Sequence, residues 1–223
     1  MSNKIKHPAT YSKVILPELA RFLVGIHEVL DPFAGTGKLA LIKEHGYRGR
    51  IVCNGIEPLW AGMNEYDVDE WHVGDAENMS WCPDARFDGI CTSPTYGNRM
   101  ADNYSAGDQS HRITYRHYLG EPLKDGNTGS MQWGDAYREK HVAVYQECMR
   151  VSKRGALIII NVSDHIRKWE IMHVVDWHQR ELELLGAEFL TNIEIETPRM
   201  RFGRNSELRV GHENILLFVV GGA

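Results

Sequence analysis

Short apolar runs alternate along the chain with stretches in which apolar residues recur every third or fourth position. That is the pattern of strands and helices taking turns around a parallel sheet. From Ser12, a capping residue, Val14, Ile15, Leu19, Phe22 and Leu23 share one stripe and predict a helix to about Gly25. Residues 27–30 predict a first strand ending at Asp31, followed by a glycine-rich turn and a helix over 37–45. Further strands are expected over 50–56, 70–73 and 87–92, running out at Glu57, before Asp75, and at Ser93-Pro94-Thr95-Tyr96. Periodicity then disappears from Gly97 to Gly134, and so long an irregular segment in a compact domain points to function. Helical spacing returns over 136–151. Residues 156–162 are almost wholly apolar, as in a central parallel strand covered on both faces. A helix over 170–185, stopped by Gly186, and strands over 189–196 and 213–220 complete the pattern.

Composition bounds the possibilities. The 223 residues are 43% hydrophobic and 25% charged, globular values that fit one α/β domain over 1–223 with residues 97–134 as a substrate-facing insert. A net charge of −5 argues against coating nucleic acid by bulk electrostatics but leaves room for a local basic patch. Cys53, Cys82, Cys91 and Cys148 are widely spaced with no CxxC pair, which excludes a cysteine zinc ribbon and suggests a reducing, cytoplasmic setting. No signal peptide is expected at the start, and no apolar run approaches the ~18 residues that span a bilayer. No metal site is expected, because the 11 histidines show no HExxH or comparable spacing. His111, His117 and His141 are expected at the surface or against substrate.

Asp31-Pro32-Phe33-Ala34-Gly35-Thr36-Gly37 lies between a strand and a helix, where residues without a Cβ let a ligand approach the backbone. A phosphate-cradling GxxxxGK[ST] loop is excluded by Pro32 and Leu39. A dinucleotide fingerprint fits in part, with Gly35, Gly37 and Ala40 in register and Glu57 twenty residues beyond Gly37, placed for ribose hydroxyls. Asp31 favours another ligand, since a carboxylate repels a pyrophosphate and attracts a cationic amino acid.

On these residues the chain resembles the S-adenosylmethionine-dependent methyltransferases that modify amino groups of DNA bases. Asp31 to Gly37 resemble that family's cofactor motif, in which Asp31, Phe33, Ala34, Gly35 and Gly37 would bind the cofactor. Glu57 resembles its ribose-binding acid, and Asp75 the residue at the adenine amino group. His7-Pro8-Ala9 resembles the segment around the methionine half. Thr92-Ser93-Pro94-Thr95-Tyr96 is similar to the catalytic (Ser/Asp/Asn)-Pro-Pro-(Tyr/Phe) motif, with Ser93 touching both cofactor and target. His212-Glu213-Asn214-Ile215-Leu216 is similar to the last strand. The resemblance implies a Rossmann-like class I methyltransferase fold: a seven-stranded, mostly parallel sheet whose last strand is antiparallel. Ser93 in place of Asp leans toward cytosine N4 over adenine N6.

An exocyclic amine is a poor nucleophile because its lone pair is delocalised into the ring. Acceptors aimed at its hydrogens, here Ser93 Oγ and the Pro94 carbonyl, favour a pyramidal nitrogen directed at the sulfonium methyl. Tyr96 would stack on a base extruded from the duplex. Arg99, Arg112 and Arg116 in the insert, with Arg199, Arg201 and Arg204 in the loop before the last strand, are expected to face nucleic acid. Thr95 stands where the family has its second proline, which leaves an impaired cofactor- or DNA-binding protein as one alternative and an RNA amino-methyltransferase as another. The lack of a separate recognition domain suggests a possible homodimer. The resemblance also implies restriction-modification enzymes and their phage relatives, and so a bacterial or phage-infected cell.

Overall fold

The computed structural model describes residues 11–63, 65–97, 119–197, 208 and 210–221. Seven strands form one sheet: β1 (Glu28–Asp31), β2 (Arg50–Gly55), β3 (Glu70–Val73), β4 (Phe87–Thr92), β5 (Ser152–Val162), β8 (Ala187–Glu196) and β9 (His212–Val220). Their order is β3-β2-β1-β4-β5-β9-β8. The pairs from β3 through β5 are parallel, and β9 is antiparallel to both β5 and β8, as the family resemblance implies.

Both faces are covered. On one, α3 (Asp135–Val151) and α4 (Val174–Leu184) bring Val144, Tyr145, Cys148, Val175 and Leu182 onto Leu30, Ile158, Ile160 and Phe218. On the other, α1 (Leu16–Phe22) and a 3-10 helix (Lys38–His45) pack Leu16, Leu19, Leu39 and Ile42 against Val29, Ile51, Ile159 and Ile215. Burying adjacent strand residues on opposite faces accounts for the nearly continuous apolar run of β5. A short helix α2 (Pro58–Ala61) follows β2. The four cysteines are buried thiols. Among the described residues no helix is long and apolar enough to cross a membrane.

Three expectations need correction. The segment after Gly37 winds as a 3-10 helix, in which Leu39 and Ile42, three residues apart, align on one buried face. Val14, assigned to the buried stripe, is 45% exposed because the chain enters α1 only at Leu16. The helix expected over 170–185 begins at Val174, and Glu170–Met172 instead form β7, paired antiparallel with β6 (His165–Arg167). The turn of that hairpin is Lys168-Trp169, which carries none of the Asn, Asp or Gly that ordinarily signal one.

Candidate functional site

The carboxyl ends of β1, β2, β3 and β4 lie along one sheet edge, so the acids that follow the first three form a row beside the Ser93 turn. Asp31 ends β1 and is 1% exposed. Its Oδ1 accepts from the Phe33 amide at 3.1 Å and from Thr92 Oγ1 at 2.6 Å. The latter bond ties the glycine turn to the residue preceding Ser93. Burial pushes the Asp31 carboxyl up to about 7, against the pull of those two donors. Such a group favours a cation as its next neighbour. Tyr11 is close by, its phenol pushed well up by burial and then by the Asp31 charge.

Gly35 and Gly37 have φ values of +54° and +81°, in the left-handed region. A Cβ on Gly37 would stand 2.7 Å from the Trp71 ring and 2.8 Å from Val68, so that position is closed to other residues by space as well as by conformation. Thr36 Oγ1 is buried in this turn without a hydrogen-bond partner. An orphaned hydroxyl in the turn that follows a carboxyl favouring a cation fits a polar, positively charged ligand. Ala34 is buried, and Phe33 stacks on His141 with ring centroids 5.1 Å apart. His141 is therefore not at the surface, as the sequence suggests; it is wholly buried, and its imidazole is lowered to about 4 by desolvation.

The other two acids are already engaged. Glu57 is 3% exposed, and its Oε1 accepts from the Lys124 amide at 2.8 Å and from Asn127 Nδ2 at 2.7 Å. Asp75 pairs with the buried Lys140 of α3, which also reaches Glu77 Oε2 at 2.8 Å. Gly126, at φ +82°, lies against Asp75 so closely that a Cβ would come within 2.8 Å of Oδ2. Residues 124–130 thus form a strap across both acids, fastened by the Asn127 Oδ1 bond from the Gly129 amide at 2.8 Å.

At the end of β4, Ser93 Oγ lies 3.2 Å from the Tyr96 hydroxyl. Two residues from distant strands complete the cluster. Glu213 of β9 accepts from Asn161 Nδ2 of β5 at 2.9 Å and from the Tyr96 hydroxyl at 3.3 Å. With the Tyr96 proton directed to Glu213, Ser93 donates to the phenol oxygen; Asn161 Nδ2 stands 3.5 Å from Ser93 Oγ as a donor, which leaves Ser93 one lone pair for an incoming donor. Asn161 is 1% exposed and its Oδ1 is an unpartnered buried acceptor. The Tyr96 ring is partly buried against the core formed with α3 and α4.

Thr95, where the ring of a second proline would restrain the chain, is held from outside. The Tyr137 hydroxyl donates to the Thr95 carbonyl. Since a carbonyl only accepts, the phenol oxygen of Tyr137 takes its other bond from His178 Nε2–H at 3.1 Å. Burial lowers the His178 imidazole well below its ordinary value and keeps it neutral, so Nδ1 is bare and accepts from the Tyr145 hydroxyl at 2.6 Å. Proton positions along Tyr145, His178, Tyr137 and Thr95 are therefore set by their partners. The Trp133 amide adds a 3.0 Å bond to the Gly97 carbonyl.

The structure thus brings together Asp31, Phe33, Ala34, Gly35, Gly37, Ser93, Pro94 and Tyr96, with Glu57 and Asp75 further along the edge. His7, Pro8, Arg99, Arg112, Arg116, Arg199, Arg201 and Arg204 lie outside the described residues. Asn127, Tyr137, Lys140, Asn161, His178 and Glu213 are the site residues that sequence reasoning did not find. Only Glu213 carried a sequence signal, in the His212–Leu216 run.

No family model matches the chain, and no curated protein matches it in sequence. Solved structures match its fold. A putative sarcosine dimethylglycine methyltransferase from Galdieria sulphuraria is 13% identical over 93% of this chain and 85% of that one, with a TM-score of 0.57. The N-methyltransferase NodS from Bradyrhizobium japonicum WM9, in complex with S-adenosyl-L-homocysteine, is 11% identical over 93% and 86%, with a TM-score of 0.55. A methyltransferase from Pyrococcus furiosus is 13% identical over 97% and 87%, with a TM-score of 0.54. The chain therefore has the Rossmann-like fold of those methyltransferase structures, including the antiparallel last strand.

Proposed function

We propose that this chain transfers a methyl group from S-adenosylmethionine to an exocyclic amino group of a DNA base, cytosine N4 in preference to adenine N6. The observation that carries the reading is the bond from Thr92 Oγ1 to Asp31, which sets the Ser93-Pro94-Thr95-Tyr96 turn directly beside the glycine turn. A shared edge of this kind lets a methyl donor and an amine meet without a covalent enzyme intermediate. The fold supports the cofactor, because NodS has been solved with S-adenosyl-L-homocysteine on the same framework. Asp31, the glycine turn and the Thr36 hydroxyl would hold its amino-acid half, and Glu57 and Asp75 its adenosine. When bound, it supplies an electrophilic methyl on a cationic sulfur.

The remaining chemistry belongs to the chain. Ser93 Oγ and the Pro94 carbonyl accept from the two amine hydrogens, which turns the nitrogen lone pair out of conjugation. The nitrogen gains a methyl and must lose one proton. The proton facing Ser93 Oγ passes to it as Ser93 gives its own proton to the Tyr96 oxygen and Tyr96 gives its proton to Glu213, the terminal base of the relay. Tyr96 presents its ring to the base while its hydroxyl aligns Ser93 and Glu213.

Incubation with labelled S-adenosylmethionine, unmethylated genomic DNA and total RNA, followed by nucleoside separation, tests the reading. Label is expected in N4-methylcytosine, and Ser93→Ala and Glu213→Gln are expected to lower turnover ~100-fold or more with cofactor affinity kept within about threefold. Cofactor binding with no label in any DNA nucleoside would overturn it.

A further inference from the structure

The β6–β7 hairpin leaves the sheet where β5 ends, at the edge that carries Ser93 and Asn161. It pairs His165 with Met172, Ile166 with Ile171 and Arg167 with Glu170, so its turn consists of Lys168 and Trp169 alone. Both are left-handed, at φ +51° and +70°. Two-residue turns of that shape suit Asn-Gly, and a bulky indole there is a conformational outlier. The turn geometry therefore disfavours tryptophan at this position, and the residue is 59% exposed. Lys168 is exposed beside it, with Glu170 the one acid in the hairpin. The stem is fixed: the Arg167 guanidinium donates to the Trp133 carbonyl and, at 2.9 Å, to Gln132 Oε1. Through the Trp133 amide bond to Gly97 it is mechanically joined to the turn that holds Tyr96.

We infer that this hairpin is a DNA-contacting finger, in which Trp169 stacks on a base or fills the gap left by an extruded one while Lys168 meets a phosphate. A strained turn that holds a flat aromatic and a cation in solvent, tied to the methylating edge, matches base stacking and backbone neutralisation. The inference rests on the nucleic-acid reading above and adds a part of the surface by which the substrate is held.

The test uses the full chain and compares Trp169→Ala, Trp169→Phe and the double variant Lys168→Asn/Trp169→Gly. Fluorescence anisotropy with a labelled DNA duplex reads binding, thermal denaturation reads the fold, calorimetry reads S-adenosylmethionine affinity, and sedimentation reads self-association. Trp169→Ala is expected to weaken duplex binding roughly tenfold, and Trp169→Phe by no more than about threefold. The double variant is expected to raise the melting temperature by a few degrees while binding DNA at least tenfold more weakly. Unchanged DNA affinity in a stabilised double variant would overturn the finger, as would a change confined to self-association. Wild-type chain that binds S-adenosylmethionine but no nucleic acid would overturn the functional reading itself, and the finger with it.

Discussion

Replacing Tyr137 by Phe removes one oxygen from the middle of the Tyr145–His178–Tyr137–Thr95 relay and keeps the ring that packs against His141 at 3.9 Å. Two partners are left in the interior: the Thr95 carbonyl without its donor and the His178 Nε2–H without its acceptor. A buried polar group deprived of its partner costs about 1–3 kcal/mol, so the pair should lower stability by roughly 2–6 kcal/mol. Urea titration should show the loss as a shifted midpoint at unchanged slope, since the surface exposed on unfolding is the same. Tyr145→Phe strands only the Nδ1 lone pair and should cost about 1–2 kcal/mol. Because both act through His178, the double variant should lose less than the sum. A Tyr137→Phe loss below about 0.5 kcal/mol would refute the relay, as would strict additivity.

Two further outcomes follow from the row of acids. Asp31 has a folded pKa of about 7 against an ordinary 3.8, so its burial is without penalty below about pH 4 and costs stability increasingly as pH rises to 7. A cationic ligand favours the anion, so S-adenosylmethionine binding near pH 6 should release most of a proton, read by calorimetry in buffers of different ionisation heat; buffer-independent heats, or heats unaltered by Asp31→Asn, would contradict this. Asn127→Ala should tighten S-adenosylmethionine binding several-fold, because Glu57 Oε1 would shed one of its two protein donors; weaker binding would mean that Asn127 aligns the carboxylate instead of competing for it.

The parts of the fold that read directly from sequence are those written locally. β1, β2 and β4 are short apolar runs closed by a glycine-rich, acidic or proline turn, and β5 is long and apolar enough to be placed at the sheet centre. The β6–β7 hairpin was hidden because Lys168-Trp169 is not a turn sequence and Ile171, three and four residues before Val174 and Val175, extends their helical stripe backwards. The site divides in the same way. Asp31 to Gly37 and Ser93 to Tyr96 are contiguous, so their chemistry is visible in one line of residues. Asn161 and Glu213 meet only because β9 lies beside β5, and His178 reads as one more polar position on α4 until the rings of Tyr137 and Tyr145 close on it. Glu57 was marked by its spacing from Gly37 and Asp75 by the family resemblance alone; that a later segment would fasten them was not legible, since residues 124–130 carry no periodicity.

The place of β9 in the sheet has a consequence for the order of assembly. β8 is made before β9 but has no partner in the sheet except β9, which separates it from β5. During synthesis the ribosome therefore releases β1 to β5, with Asp31, Glu57 and Asp75, as a partial sheet whose β5 edge is open and apolar, while β8 waits unpaired. Exposed edges of that kind are where nascent chains aggregate. Glu213 arrives with the strand that closes the gap, so a chain cut before His212 would hold Asp31, the glycine turn and Ser93 and lack the carboxylate that binds Tyr96 and Asn161.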